Sequence, residues 1–320
     1  MYRETMNAKI GNRYVSKIKF EVLIGESFNT DTNLTPINNE NVLSLINDFE
    51  NGEWRYKKFQ SFIWDNIIET ALSKKERDKL ANQDHSRLVA AAKNLRLTDK
   101  ENDIGKGSEL AEILLYGIMK DHYGALSAVP KIFYKQNVQD NVKGADSVHI
   151  VLDGNNDFSI WFGEAKFYDN IENKRFDIII ESVEKLLQPD KLKKENSIIT
   201  NVSDIDDIIS DESLRDKIKE LLSEKTSIDA LKPKLHIPIL LLHECSKTKD
   251  TTELTDDYKN YIIAYHKERA QSYFSKQISK IGGKIHKYSA ITFHLILFPV
   301  PDKAKIVDRF ITNVEHYKNQ

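Results

Sequence analysis

The chain has 320 residues, 40% hydrophobic and 30% charged, so it can bury a sizeable core and is not disordered. Lys and Arg total 47 against 49 Asp and Glu, a net charge of −2, so any basic surface for nucleic acid has to be local. The single cysteine, Cys245, excludes an internal disulfide and a cysteine zinc site and fits a reducing, cytoplasmic compartment. The aliphatic runs are too short for a bilayer span, and the start of the sequence does not have the pattern of a secretory signal.

Residues 1 to about 100 read as an accessory N-terminal layer, a candidate for partner docking. "YVSKIKFEVLIG" is a strand and "DTNLTPINNEN" a loop. Helical spacing follows, first through Val42, Leu45, Ile46 and Phe49 and then through Phe59, Phe62, Ile63 and Ile67. "SRLVAAAKNLRL" reads as another helix. After the charged break "TDKENDIGKG", a helix starts with Ser108 as its N-cap and Glu109 and Glu112 in its first turn. Leu110, Ile113, Leu114 and Ile118 form its apolar stripe, and Gly124 is its stop. "KIFYKQ" is expected as a short strand, followed by two longer ones. A helix is expected around Asp177 to Leu187, then a polar helical insertion near 190–230 with acids at Asp204, Asp206, Asp207, Asp211 and Glu212. "LHIPILLLHE" and "AITFHLILFPVP" are buried strands, separated by a long helix and followed by a last one, "KAKIVDRFITNVEHY". Strands alternating with helices over residues 101–320 point to a mixed α/β domain.

The chemistry concentrates in "GADSVHIVLDGNNDFSIWFGEAKFYDN", residues 144–170. Asp-Gly between two apolar alternating runs predicts a hairpin. Centred on Asn155, the ladder pairs Leu152 with Phe158, Ile150 with Ile160, Val148 with Phe162, and Asp146 with Glu164. One face then reads as wholly apolar until its far end, where Asp146, Glu164 and Lys166 stand together. Adjacent carboxylates repel unless a cation lies between them, and Mg²⁺ binds readily through one or two carboxylates. A lysine beside them can orient or deprotonate water, or stabilise charge on a phosphate.

An early helix acid, then Gly144-Ala145-Asp146 on a strand, then Gly163-Glu164-Ala165-Lys166 ending an apolar strand, resembles the PD-(D/E)XK nuclease superfamily with its restriction-endonuclease-like fold, a mixed central sheet flanked by helices. "KGSELAEILLYGIMKDHYG", "KGADSVHIV" and "FSIWFGEAKFYDN" resemble more narrowly the HamA family, nuclease subunits of the Hachiman antiphage defence system. These motifs span Gly105 to Asn170. The resemblance implies a Mg²⁺- (or Mn²⁺-) dependent DNA endonuclease in a hetero-complex with a HamB-like superfamily 2 helicase. It implies Asp146, Glu164 and the Ala165 backbone carbonyl as metal ligands and Lys166 acting on the attacking water. Glu112 would complete the acidic cluster, with Glu109 as its rival. Lys106, Lys131, Lys135 and Lys143 lie near these elements in sequence and are candidates for backbone phosphates.

Each feature has a plainer reading. Asp146 can simply end a strand, Glu164 and Lys166 can be a same-face ion pair, and Glu109 and Glu112 can serve the helix dipole alone. His149 falls on the opposite face from Asp146 and suits packing. Adjacent strand residues such as His243 and Glu244 point opposite ways, Cys245 reads as structural, and "GKGS" at 105–108 lacks the first glycine of a phosphate loop. The acids at 204–212 suit a solvated surface. The alternatives to a partner-controlled nuclease are a catalytically silent module that binds helicase or DNA, and a stand-alone restriction enzyme.

Overall fold

The computed structural model describes residues 18–28, 39–97, 107–134, 144–153, 156–201 and 204–320. Lys106, Lys135 and Lys143 lie outside them. In chain order, β1 (Glu21–Ser27) and β2 (Glu40–Ile46) are followed by the short pair β3 (Phe49–Glu50) and β4 (Glu53–Trp54). Helices α1 (Tyr56–Ala71), α2 (Lys74–Lys79), α3 (Asp84–Asn94) and α4 (Ser108–Tyr123) come next. Then come β5 (Leu126–Val129), α5 (Lys131–Tyr134) and the hairpin β6 (Ser147–Asp153) and β7 (Asp157–Tyr168). The helical segment comprises α6 (Asn173–Leu186), α7 (Pro189–Asn201), α8 (Asp204–Ile208), α9 (Glu212–Leu222) and α10 (Ile228–Leu231). Strand β8 (Leu235–Glu244), α11 (Ser246–Asp250), α12 (Asp256–Gln277), β9 (Thr292–Val300) and α13 (Lys303–Lys318) complete the chain.

Seven strands form one mixed sheet in the order β1-β2-β9-β8-β7-β6-β5. The central strands β2, β9, β8 and β7 are parallel, and antiparallel pairs close both edges. Central parallel strands are buried on both faces, so their sequences read as continuous apolar runs. Thus Ile237, Ile239 and Leu241 of β8 enter one core with α6, α9 and α12, while Leu240 and Leu242 enter the other with α1, α4 and α13. The result is a helix–sheet–helix sandwich of restriction-endonuclease-like α/β character.

Several local expectations give way to this topology. Residues 40–46 form strand β2, not the start of a helix. Its apolar residues serve both faces of the sheet, and in a short run that filling mimics a helical i, i+3, i+4 pattern. β2 pairs in parallel with β9, from Glu40 opposite Phe293 to Ser44 opposite Leu297, so the N-terminal strands extend the common sheet instead of forming a separate layer. "KIFY" is the helical turn α5, and the preceding strand is Leu126–Val129. Ser108 is the first helical residue of α4, capped by Gly107 in a left-handed conformation, and Gly124 ends the helix as expected. The acids near 204–212 include the cap of α9, Asp211, and Asp206, ion-paired with Lys219 at 2.5 Å on the surface.

Candidate active site

The β6–β7 ladder has the register read from the sequence: Val148 opposite Phe162, Ile150 opposite Ile160 and Leu152 opposite Phe158. Val148, Ile150, Phe158, Ile160 and Phe162 are buried in one core, whereas Leu152, on the same apolar face but at the turn, is 37% exposed. Past the last ladder pair, the Asp146 N–H donates to the Gly163 carbonyl at 2.8 Å, which brings the Asp146 side chain beside Glu164. A Cβ on Gly163 would lie 2.2 Å from Ser147 Oγ and 2.8 Å from Leu115 of α4. Only glycine lets the helix close against the strand one residue before Glu164.

Asp146 Oδ2 accepts the Ala165 backbone N–H at 3.0 Å and lies 3.7 Å from Lys166 Nζ. Glu164 Oε1 lies 2.6 Å from the same ammonium. The two carboxylates therefore converge on one cation. Burial pushes the Glu164 carboxyl above its usual range, the Asp146 charge adds to the push, and Lys166 and the Ser182 hydroxyl of α6 oppose it. For Lys166, burial favours the neutral amine, but Asp146 and Glu164 together outweigh it and hold the side chain protonated. Lys166 keeps 28% of its side-chain surface, so this end of the sheet is reachable from solvent.

The helix acids separate clearly. Glu109 accepts the backbone N–H groups of Arg96 at 2.8 Å and Leu97 at 2.9 Å, clamping the segment after α3. Glu112, one turn on, lines a small cavity together with Asp146, Ser147, Tyr116, Thr70 and Lys131. Lys131 does not face solvent. It is 3% exposed and pairs with Glu195 of α7 at 2.5 Å, a partner that occupies the position expected of a phosphate. His149 lies on the face opposite Asp146, 1% exposed, and burial holds its ring neutral with a pKa lowered to about 3. His243 is likewise buried and lowered to about 4, and Cys245 is a buried free thiol.

Sequence reasoning missed Glu195. Besides pairing with Lys131, its Oε1 accepts the Ala145 N–H at 3.0 Å, and it fits so closely under Gly144 that a Cβ there would sit 1.6 Å from it. Glu195 thus fixes the two residues that precede Asp146. It lies some fifty positions downstream, in a helix crowded with exposed charges (Asp190, Lys193, Lys194), and its local pattern does not single it out. Ser182, which hydrogen-bonds Glu164, was missed for the same reason.

Adjacent carboxylates on neighbouring strands, with a strand carbonyl between Glu164 and Lys166, suit a hard divalent cation that keeps water or phosphate oxygens as its remaining ligands. Among the described residues, no group of three or more His, Cys, Asp and Glu side chains gathers at metal-binding spacing. No helix among the described residues is long and apolar enough to cross a membrane.

No curated protein matches the chain. A family model described as HamA matches residues 22–314, from the first strand of the sheet to the last helix, and so spans every element that builds the site. The chain therefore belongs to the HamA family, components of the Hachiman antiphage defence system.

Proposed function

We propose that this chain is a metal-dependent DNA nuclease of the PD-(D/E)XK type, cutting phosphodiester bonds in antiphage defence under the control of a superfamily 2 helicase. The observation that carries the reading is the convergence of Asp146 and Glu164 on Lys166, at 3.7 and 2.6 Å, at the open end of a rigid hairpin. Mg²⁺ or Mn²⁺, bound by the two carboxylates and the Ala165 carbonyl, would lower the pKa of a bound water and neutralise charge on the scissile phosphate. The protein's part is placement. The Ala165 N–H fixes Asp146 Oδ2, and Ser182 fixes Glu164, so neither carboxylate has to reorganise. Lys166, held as an ammonium, serves best as a donor that orients the attacking water or steadies a non-bridging phosphate oxygen. Glu112 faces the same cavity as Asp146 and supplies further negative charge behind it.

The test is degradation of plasmid DNA with Mg²⁺, with and without the helicase and ATP. Wild type should cut, while Asp146→Asn, Glu164→Ala and Lys166→Ala should lose cleavage by about 10³-fold or more, yet still form the helicase complex. The rival reading, a silent module that binds helicase or DNA, draws on the close Lys166–Glu164 ion pair, which also suits a locked structural site. Wild type that never cuts with helicase and ATP present would decide for it.

A further inference from the structure

A second charged feature lies on the α1 and α13 side of the sheet. The N-terminal ends of these two helices and the β3–β4 turn enclose a cleft of about 700 Å³. Six basic side chains line it, against two acids, Glu50 and Glu53, in a chain whose net charge is −2. Three of the six are already answered: Lys19 by Asp65 at 2.6 Å, Arg55 by Asp48 at 3.1 Å and Glu50 at 3.5 Å, and Lys58 by Asp48 at 3.2 Å. The other three, Lys57, Lys305 and Arg309, are exposed and have no acid within ion-pair distance among the described residues. Lys305 lies 4.0 Å above the Tyr56 ring, which holds its ammonium at the cleft wall.

The helix ends add to the positive character. α1 begins at Arg55 without a side-chain cap, has no acid in its first turn, and places Lys57 and Lys58 there instead. Cations at the positive end of a helix are unfavourable unless an anion joins them. Uncapped first-turn amides beside lysines are the usual setting for phosphate. The cleft is also tied to the candidate active site. Lys303 Nζ, at the start of α13, pairs at 3.2 Å with Asp169, three residues past Lys166, and the same helix carries Lys305 and Arg309 into the cleft.

We propose that this cleft binds the phosphate backbone of a single DNA strand without reading its sequence, with Lys57, Lys305 and Arg309 as the main contacts. The anion chemistry stands on the cleft alone; DNA as its source rests on the nuclease reading. The cleft would supply the phosphate grip that two carboxylates and one lysine at the hairpin end do not.

The test measures binding of a fluorescent oligothymidine strand by anisotropy, in EDTA and low salt, so that cleavage plays no part. The variant Lys57→Glu/Lys305→Glu/Arg309→Glu places two acids in the first turns of α1 and α13, where they are tolerated, and one in the exposed second turn of α13, and its fold is checked by its melting temperature. Its affinity should fall at least tenfold, and the slope of log affinity against log salt should lessen by about 2, the share of three single-strand phosphate contacts. Equal binding by the triple variant and wild type would overturn the proposal. So would a polyglutamate peptide that binds wild type but not the triple variant while the strand binds both alike. A chain that never cuts DNA yet shows the tenfold loss would keep the cleft and lose the nuclease; a chain that cuts DNA while the triple variant binds normally would do the reverse.

Discussion

Two groups of charges flank the start of β6 and follow opposite logic. Lys131 and Glu195 form one cation and one anion, each side chain 2% exposed, with the spare Glu195 oxygen taken by the Ala145 N–H. Asp146, Glu164 and Lys166 bring two carboxyls and one ammonium together, closer to solvent, and burial, with the Asp146 charge adding to it, lifts the Glu164 carboxyl. The first group is electrically closed and holds the backbone. The second sets two carboxylates around one ammonium, an arrangement that suits a divalent cation or a phosphate-bound metal. The contrast shows why a structural ion pair and a candidate catalytic cluster within a few residues of each other need not be confused.

The largest effect should come from opening the closed pair. Removing one partner of a buried ion pair costs about 3–5 kcal/mol, because the other charge stays buried alone. Glu195→Ala and Lys131→Ala should each lower the unfolding free energy, measured by urea titration, by that amount, whereas Lys131→Met/Glu195→Leu should recover much of it. Single losses below about 1 kcal/mol would mean the pair is not closed.

Next comes the open group's response to metal. Mg²⁺ at about a hundred times its dissociation constant should stabilise the wild type by about 2.7 kcal/mol, read as a rise in melting temperature. Asp146→Asn should abolish the rise and Arg309→Glu should leave it intact. An equal rise in Asp146→Asn would place the cation elsewhere. Gly144→Ala tests how tightly the two groups are coupled. Its Cβ meets Glu195, and the overpacking should cost about 1–3 kcal/mol in stability. It should also weaken Mg²⁺ binding, since the displaced backbone carries Asp146.

The smallest effect carries the clearest sign. Without metal, Glu164→Gln should be more stable than wild type at pH 7 by about 1 kcal/mol, since it removes a buried charge that Asp146 repels. Because the Glu164 carboxyl is raised in the folded chain, the difference should vanish below about pH 4.3, where the unfolded carboxyl is also protonated. It should grow as pH rises above that, because the unfolded chain releases the Glu164 proton more readily than the folded one. A difference that shrinks as pH rises would show that Lys166 outweighs burial and Asp146 at the Glu164 carboxyl.

How much of this was legible in the sequence depended on whether the signal was local. The hairpin register could be read because Asp-Gly fixes the turn and alternation fixes the faces, so Asp146, Glu164 and Lys166 fell together. Strands β8 and β9 were plain because ten and nine largely apolar residues leave little else. β2 was misread because seven residues filling both faces of a sheet also fit a helical stripe. Glu109 and Glu112, three apart on one helix, could be told apart only by what each met: backbone amides of residues 96 and 97 for one, the cavity beside Asp146 for the other. Glu195, Ser182 and the basic cleft depend on contacts between segments far apart in the chain, which periodicity does not register.

The position of β9 has a consequence for the history of each molecule. β9 lies between β2 and β8, yet it is the next-to-last labelled element to leave the ribosome. Until about the three-hundredth residue emerges, β2 has only its hairpin neighbour β1, and β8 has a bare edge on the side that β9 will fill. Synthesis that stops before β9 should therefore leave the β1–β2 pair and the strands β5 to β8 as two parts of a sheet with nothing to join them.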